Sequence, residues 1–136
     1  MAKFMSPEWA KAFKEALNNN PAYAEAARNW EGDFYFTATD MPGATKPSTM
    51  YADLWHGKCR EAFIVTGGDD EREPAFRMTG SLPVWRKVVE KKLDPIQGLL
   101  TRQLKLQGDM VTIMRNVKSA QALVNSLATI DTEFPS

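Results

Sequence analysis

The sequence has one cysteine, one histidine, no excess of either charge and no long apolar run. Each shortage excludes something. A lone Cys59 rules out a disulfide within the chain and any site built from several thiolates, which fits a reducing compartment. Seventeen basic against seventeen acidic residues leave no net charge, so there is no cationic footprint to hold a nucleic acid by its phosphates. No stretch approaches the roughly 18 consecutive apolar residues that a membrane span requires. Met1 to Ser6 also lacks the basic start and apolar run of a secretory signal. A cytoplasmic protein is the expectation.

What is present is apolar bulk. Hydrophobic types make up 43% of 136 residues, enough for a single domain over residues 1–136 with a core of its own. The stretch Gly80 to Asp109 organises it. Ser81-Leu82-Pro83 carries a capping hydroxyl and a first-turn proline, and Val84, Trp85, Val88 and Val89 then form one helical stripe opposite Arg86, Lys87, Glu90, Lys91 and Lys92. Asp94-Pro95 repeats the start signal ahead of Ile96, Leu99 and Leu100. Gln103 to Gln107 alternates as a short strand, and Gly108-Asp109 turns the chain and caps the next helix.

Upstream, Ser6-Pro7 opens a helix with Trp9, Phe13, Ala16 and Leu17 on one face. Asn18-Asn19-Asn20 stops it, and Asn20-Pro21 starts a second helix with Tyr23, Ala26, Ala27 and Trp30 at helical spacing. From Gly32 the period becomes two, with Phe34, Phe36 and Ala38 on one side and Tyr35, Thr37 and Thr39 on the other. Met50–Trp55, Cys59–Val65 and Ala75–Thr79 read as further strands, the first two joined by a tight His56-Gly57 turn. Gly67-Gly68 reads as hairpin punctuation, so these four strands are expected to form a meander. Met110 to Asn116 reads as a helix, Ser119 as the cap of another bearing Ala120, Leu123, Val124, Leu127 and Ile130, and Phe134-Pro135-Ser136 as a frayed end. The order of elements indicates an α+β fold.

Chemistry-bearing patterns are sparse. His56 and Cys59 could make a base and a nucleophile, but a turn histidine and a small apolar strand residue account for them more simply. Asp69, Asp70, Glu71 and Glu73 lack the ligand spacing of a calcium loop, and no metal or cofactor is expected. The surplus of aromatics and methionines fits a packed core. Around Met110 and Met114 it also fits a reshapeable apolar slot beneath short helices.

The strand Gly32 to Thr39, the hairpin Tyr51-Ala52-Asp53-Leu54-Trp55-His56-Gly57-Lys58, the Trp85 helix, the Asp94-Pro95 helix and the Leu104-Lys105-Leu106-Gln107-Gly108-Asp109 return occur in an order that resembles the sterol carrier protein type two (SCP-2) domain. The resemblance spans nearly the whole chain and implies a five-stranded, mostly antiparallel sheet with helices on one face. It also implies an apolar tunnel between them for a fatty acid, fatty acyl-CoA or related lipid, and no catalysis. Phe134-Pro135-Ser136 departs from a peroxisomal targeting tripeptide, which favours a free-standing prokaryote-type member and makes sterol the poorer guess.

On that reading, Phe36, Trp55, Met78, Trp85, Val88, Leu99, Leu100, Met110 and Met114 are candidates to line the tunnel. Arg86, Lys91, Lys92 and Arg102 are candidates for a head-group rim. Residues 1–79 carry nine basic and twelve acidic groups, whereas 80–109 carry six and three, so the second stretch could also meet an anionic membrane transiently. The competing possibility is an interaction module whose groove takes a partner helix or a second copy of the chain, giving a homodimer in place of a monomer.

Overall fold

The computed structural model describes residues 1–135. In chain order the elements are β1 (Ala2–Lys3), α1 (Pro7–Asn18), α2 (Pro21–Ala26), β2 (Glu31–Thr39), β3 (Ser48–Trp55), β4 (Lys58–Ile64) and β5 (Phe76–Ser81). There follow α3 (Leu82–Val89), α4 (Pro95–Leu100), β6 (Lys105–Gln107), α5 (Met110–Met114), α6 (Val117–Leu127) and β7 (Thr132–Glu133). Five helix starts are held by the side chain of the N-cap. Ser6 accepts from Trp9 N, Asn20 from Ala22 N, Ser81 from Val84 N, Asp94 from Ile96 N and Gln97 N, and Asp109 from Val111 N. Ser119 is not a cap. It lies inside α6, which starts at Asn116 without a side-chain cap, and its hydroxyl donates to Ala26 O at 2.9 Å, tying α6 to the end of α2.

The five-stranded sheet has the order β4-β3-β2-β5-β6 and is mixed. β2 pairs antiparallel with β3 and parallel with β5, while β3/β4 and β5/β6 are antiparallel. The expected four-strand meander therefore stops at β4. β5 lies on the far side of β2, and Gly67-Gly68 belongs to a crossover instead of a hairpin. Residues 65–75 must carry the chain across three strand spacings, about 14 Å, and back along the sheet, which an extended run of that length can do. They cross the face away from the helices, where Tyr35, Tyr51 and Phe63 stand in register on three neighbouring strands. Arg72 N donates to Tyr35 Oη at 2.6 Å, Ala75 N donates to Asp33 Oδ1 at 2.7 Å, and the Arg72 guanidinium lies over the Tyr51 and Phe63 rings.

The helices cover the other face, against Phe34, Phe36 and Ala38 of β2, Met50, Ala52 and Leu54 of β3, and Phe76 and Met78 of β5. α2 is shorter than its periodicity suggests and ends at Ala26. Trp30 instead lies just before β2, stacks on Phe34 and donates its indole N–H to Gly32 O. The chain ends, too short for a sequence signal, form a two-stranded parallel ladder between β1 and β7. Phe134 packs on Phe4 with ring centroids 5.2 Å apart, and the Trp9 indole donates to Thr132 Oγ1, so the predicted fraying does not extend to Phe134. Ser136, included in that prediction, lies outside the described residues.

The edge strand β4 is closed by α1. Asn18 at the end of α1 acts as a surrogate strand, its amide donating to Cys59 O at 2.9 Å and accepting from Cys59 N at 2.8 Å. The β3–β4 turn places His56 at φ 50° and Gly57 at φ 80°, as a tight hairpin turn requires. At Gly57 a Cβ would come within 2.5 Å of Ala24 O in α2, so the turn is also a contact surface. Gly57→Ala should thus lower stability by about 2 kcal/mol or more, from positive-φ strain plus a backbone collision, read as a fall in the urea midpoint.

Burial also makes the fold sensitive to alkali. The Cys59 thiol, 1% exposed, is pushed up to about 12, and burial raises the Tyr23 phenol as well. An unfolded thiol ionises near 8.5, so above that pH the unfolded chain sheds a proton that the native chain retains. Stability should fall from about pH 9 towards pH 12, and Cys59→Ser should flatten the first part of that decline in urea titrations at stepped pH.

Candidate functional site

Between the helices and the sheet lies an apolar cavity of about 80 Å³. Phe34, Phe36, Met50, Leu54 and Met78 make its floor. Trp9 and Phe13 of α1, Trp85, Val88 and Val89 of α3, Ile96 and Leu99 of α4, Ile113 of α5, and Leu123 and Val124 of α6 surround it. Local geometry explains the convergence: even-numbered positions of β2, β3 and β5 point to the helices, and each helix presents its apolar stripe to that face. The space is narrow. It is a cavity and not the formed tunnel expected of the fold, because the helical side chains interdigitate with the aromatic floor, with Phe36 and Trp85 in T-shaped contact at 5.9 Å between centroids.

Five of the nine predicted lining residues, Phe36, Met78, Trp85, Val88 and Leu99, are brought together here. The other four are placed elsewhere. Trp55 has the opposite parity to Leu54, so it points to the outer face, 39% exposed, with the Arg60 guanidinium 4.8 Å from its ring centroid. Leu100 follows the inward Leu99 and turns 60% of its surface to solvent. α5 begins at Met110 and spans only five residues, so Ile113 takes the inward position, Met110 is exposed and Met114 is half-buried off the lining.

Met50 and Leu54 were legible from the same alternation that reveals Phe36. Contributions from Trp9, Phe13 and Tyr23 needed the third dimension, since nothing in the first two helices says which strand they cover. None of Arg86, Lys91, Lys92 and Arg102 lines the cavity, and all four are exposed. Arg86 and Lys92 both pair with Glu90, and Arg86 also lies over the Phe134 ring.

The cavity wall offers little chemistry. Its polar members are Asn116, whose amide donates to Thr112 O, Ser119, already bonded to Ala26 O, and the phenol of Tyr23, whose ionisation burial pushes further up. A wall of this kind can enclose hydrocarbon and cannot supply an acid–base pair at neutral pH. His56 and Cys59 do not make a dyad. His56 Nε2 is 2.7 Å from Glu31 Oε2 on the exposed hairpin, whereas the buried thiol of Cys59 donates to Glu61 O. In the acidic loop, Asp70 binds Thr66 N, Thr66 Oγ1 and Gly67 N, which lowers its pKa and uses it as a loop staple. No helix among the described residues is long and apolar enough to cross a membrane.

Comparison with known proteins agrees with this architecture. No curated protein matches the sequence. A family model described as the SCP-2 sterol transfer family matches residues 12–121. Among solved structures, a crystal structure of sterol carrier protein 2 is 31% identical, with a TM-score of 0.84 over 94% of this chain and 99% of that one. A conserved protein from Thermus thermophilus, described as possibly a sterol carrier protein, is 32% identical, with a TM-score of 0.86 over 100% of this chain and 94% of its own. Sterol carrier protein 2 from Yarrowia lipolytica, in its apo form, shares the fold at 16% identity and a TM-score of 0.61, over 96% of this chain and 97% of that one. With a family model across most of its length and two such relatives, the chain belongs to the SCP-2 sterol transfer family.

Proposed function

We propose that this protein is a non-catalytic carrier of a single-chain acyl lipid, a fatty acid or fatty acyl-CoA, held with its hydrocarbon between sheet and helices. The observation that carries the reading is the cavity wall itself, apolar on every element that contributes to it and free of carboxylates and cations. Each methylene removed from water contributes about 0.8 kcal/mol, so a ~15-carbon chain supplies roughly 12 kcal/mol before association costs of about 4 to 15 kcal/mol. Micromolar affinity is the resulting expectation.

The cavity size bears on which lipid enters. At about 80 Å³ it is roughly half the 150 Å³ cavity known to take benzene in another protein, so an acyl chain can enter only as side chains and helices move apart. A flexible chain can advance into such a space methylene by methylene. A rigid sterol needs the full volume at once, which favours acyl lipids.

Native mass spectrometry of the purified protein, followed by solvent extraction, should yield a copurifying acyl lipid. A fluorescent fatty acid should bind in the micromolar range; a protein that carries nothing and binds no such probe defeats the reading. Ala120 borders the cavity without being fully buried, so Ala120→Phe should fill the space and weaken fatty-acid binding about tenfold or more, at a stability cost of about 1 to 3 kcal/mol that leaves the chain folded. Unchanged affinity in that variant would place the lipid elsewhere.

A further inference from the structure

The buried aromatic side chains that carry a polar atom are satisfied by the fold, with one exception. The indole N–H groups of Trp9, Trp30 and Trp85 donate to Thr132 Oγ1, Gly32 O and Thr37 O. Tyr35 Oη accepts from Arg72 N, and Tyr51 Oη donates to Asp33 Oδ2 at 2.8 Å. Tyr23 is only 2% exposed, yet its hydroxyl makes no hydrogen bond among the described residues. Every fully enclosed side-chain N or O among those residues has a partner, so Tyr23 Oη opens onto space, and the space that Tyr23 borders is the cavity.

A phenylalanine at this position would fill nearly the same volume and leave no donor unpaired, and burying a hydroxyl without a partner is unfavourable. The position is also held firmly. Asn20, the N-cap of α2, donates its amide to Ser126 Oγ at 2.8 Å, Ser119 Oγ donates to Ala26 O at 2.9 Å, and a Cβ at Gly57 would meet Ala24 O. α2 is thus clamped between α6 and the β3–β4 turn. α4 lies at the other edge of the sheet, where Leu104 N donates to Gly98 O just before β6.

We infer that Tyr23 sets the ligand specificity of the cavity, its hydroxyl bonding an uncharged oxygen, a hydroxyl or keto group, at the buried end of the acyl chain. This rests on the acyl-carrier reading and narrows the ligand class to chains oxidised at or near the end remote from the carboxyl group. A phenol is protonated at neutral pH, and burial pushes the ionisation of Tyr23 further up, so the group stands ready as a donor. The wall carries no cation, so a second carboxylate at this depth would stay charged without a counterion. The other polar groups of the wall, Asn116 and Ser119, are already bonded to Thr112 O and Ala26 O, which leaves one place for the oxygen. A chain that enters past α4 brings its leading end towards α2, so the oxygen belongs at that end.

The test compares hexadecanoic acid, ω-hydroxyhexadecanoic acid and hexadecanedioic acid at neutral pH, each displacing a fluorescent fatty acid from the unmodified chain and from Tyr23→Phe. The unmodified chain should bind the hydroxy acid at least as tightly as hexadecanoic acid, although the hydroxyl is harder to bring out of water, and the dioic acid about tenfold more weakly. In Tyr23→Phe the ratio of hydroxy-acid to hexadecanoic-acid affinity should fall about tenfold, because the buried ligand hydroxyl then lacks a partner. The thermal midpoint of the ligand-free variant should not fall, since no bond within the protein is lost. If hexadecanoic acid binds but that ratio stays within about twofold of the unmodified value, the inference is overturned and the carrier reading stands. A chain that binds none of the three acids removes both. A lowered midpoint with an unchanged ratio would assign the phenol to the fold and overturn the inference, and a dioic acid that binds as tightly as the hydroxy acid would overturn the choice of an uncharged oxygen.

Discussion

The structure depends on the parity of β2. It is the central strand, paired with β3 on one side and β5 on the other, and its even positions Phe34 and Phe36 stack with centroids 4.9 Å apart. Trp30 and Phe76 extend the stack at 5.9 and 5.0 Å from Phe34. Aromatic contacts of this kind add about 0.5 to 1.5 kcal/mol each beyond area burial, and slipping the register by one residue would turn the whole set to the other face. Everything on the helical side is built against this floor. On the reverse side the same alternation leaves Tyr35 and Tyr51 needing cover, and the crossover of residues 65–75 provides it.

How much of this could be read from the chain follows from how local each determinant is. The starts of α1, α2, α3, α4 and α5 were visible because a cap and the amide it serves are separated by two or three residues. The register of β2 was visible because alternation is a property of neighbours. Topology was not. Residues 66–74 contain the breakers of a hairpin, and only the need to cover Tyr35, Tyr51 and Phe63 on three separate strands shows that they cross the sheet. The lining of the candidate site was legible to the same degree, through Phe36, Met78, Trp85, Val88 and Leu99, which border the cavity. Trp55 misled because its size outweighed its parity, and Met110 and Met114 because a five-residue helix leaves its inward position to Ile113 alone. β1 and β7, two residues each, have no periodicity to read.

The roof of the cavity is in pieces. α4 and α5 are six and five residues long, too short to persist without the packing beneath them. A cavity of about 80 Å³ costs about 2 kcal/mol at ~24 cal/mol per Å³ relative to a filled core. Short, separately capped segments over an apolar floor can part by small rigid movements while α1 and α6 keep their contact. On the carrier proposal, α4 and α5 are the segments that part for a lipid, and α1 and α6 those that stay in place.

The β1–β7 ladder has a consequence for folding. Ala2 pairs with Thr132, so forming it closes a loop of about 130 residues at an entropic cost of about 4 kcal/mol. Two paired residues on each strand cannot meet that cost alone. The ladder can zip only after α1 and α6 have packed and brought the ends together, when the Trp9 indole can reach Thr132. It belongs to the last structure formed and the first lost, so the amide protons of Ala2 and Phe4, which donate to Asp131 O and Glu133 O, act as an exchange clock for the α1–α6 contact beside the cavity.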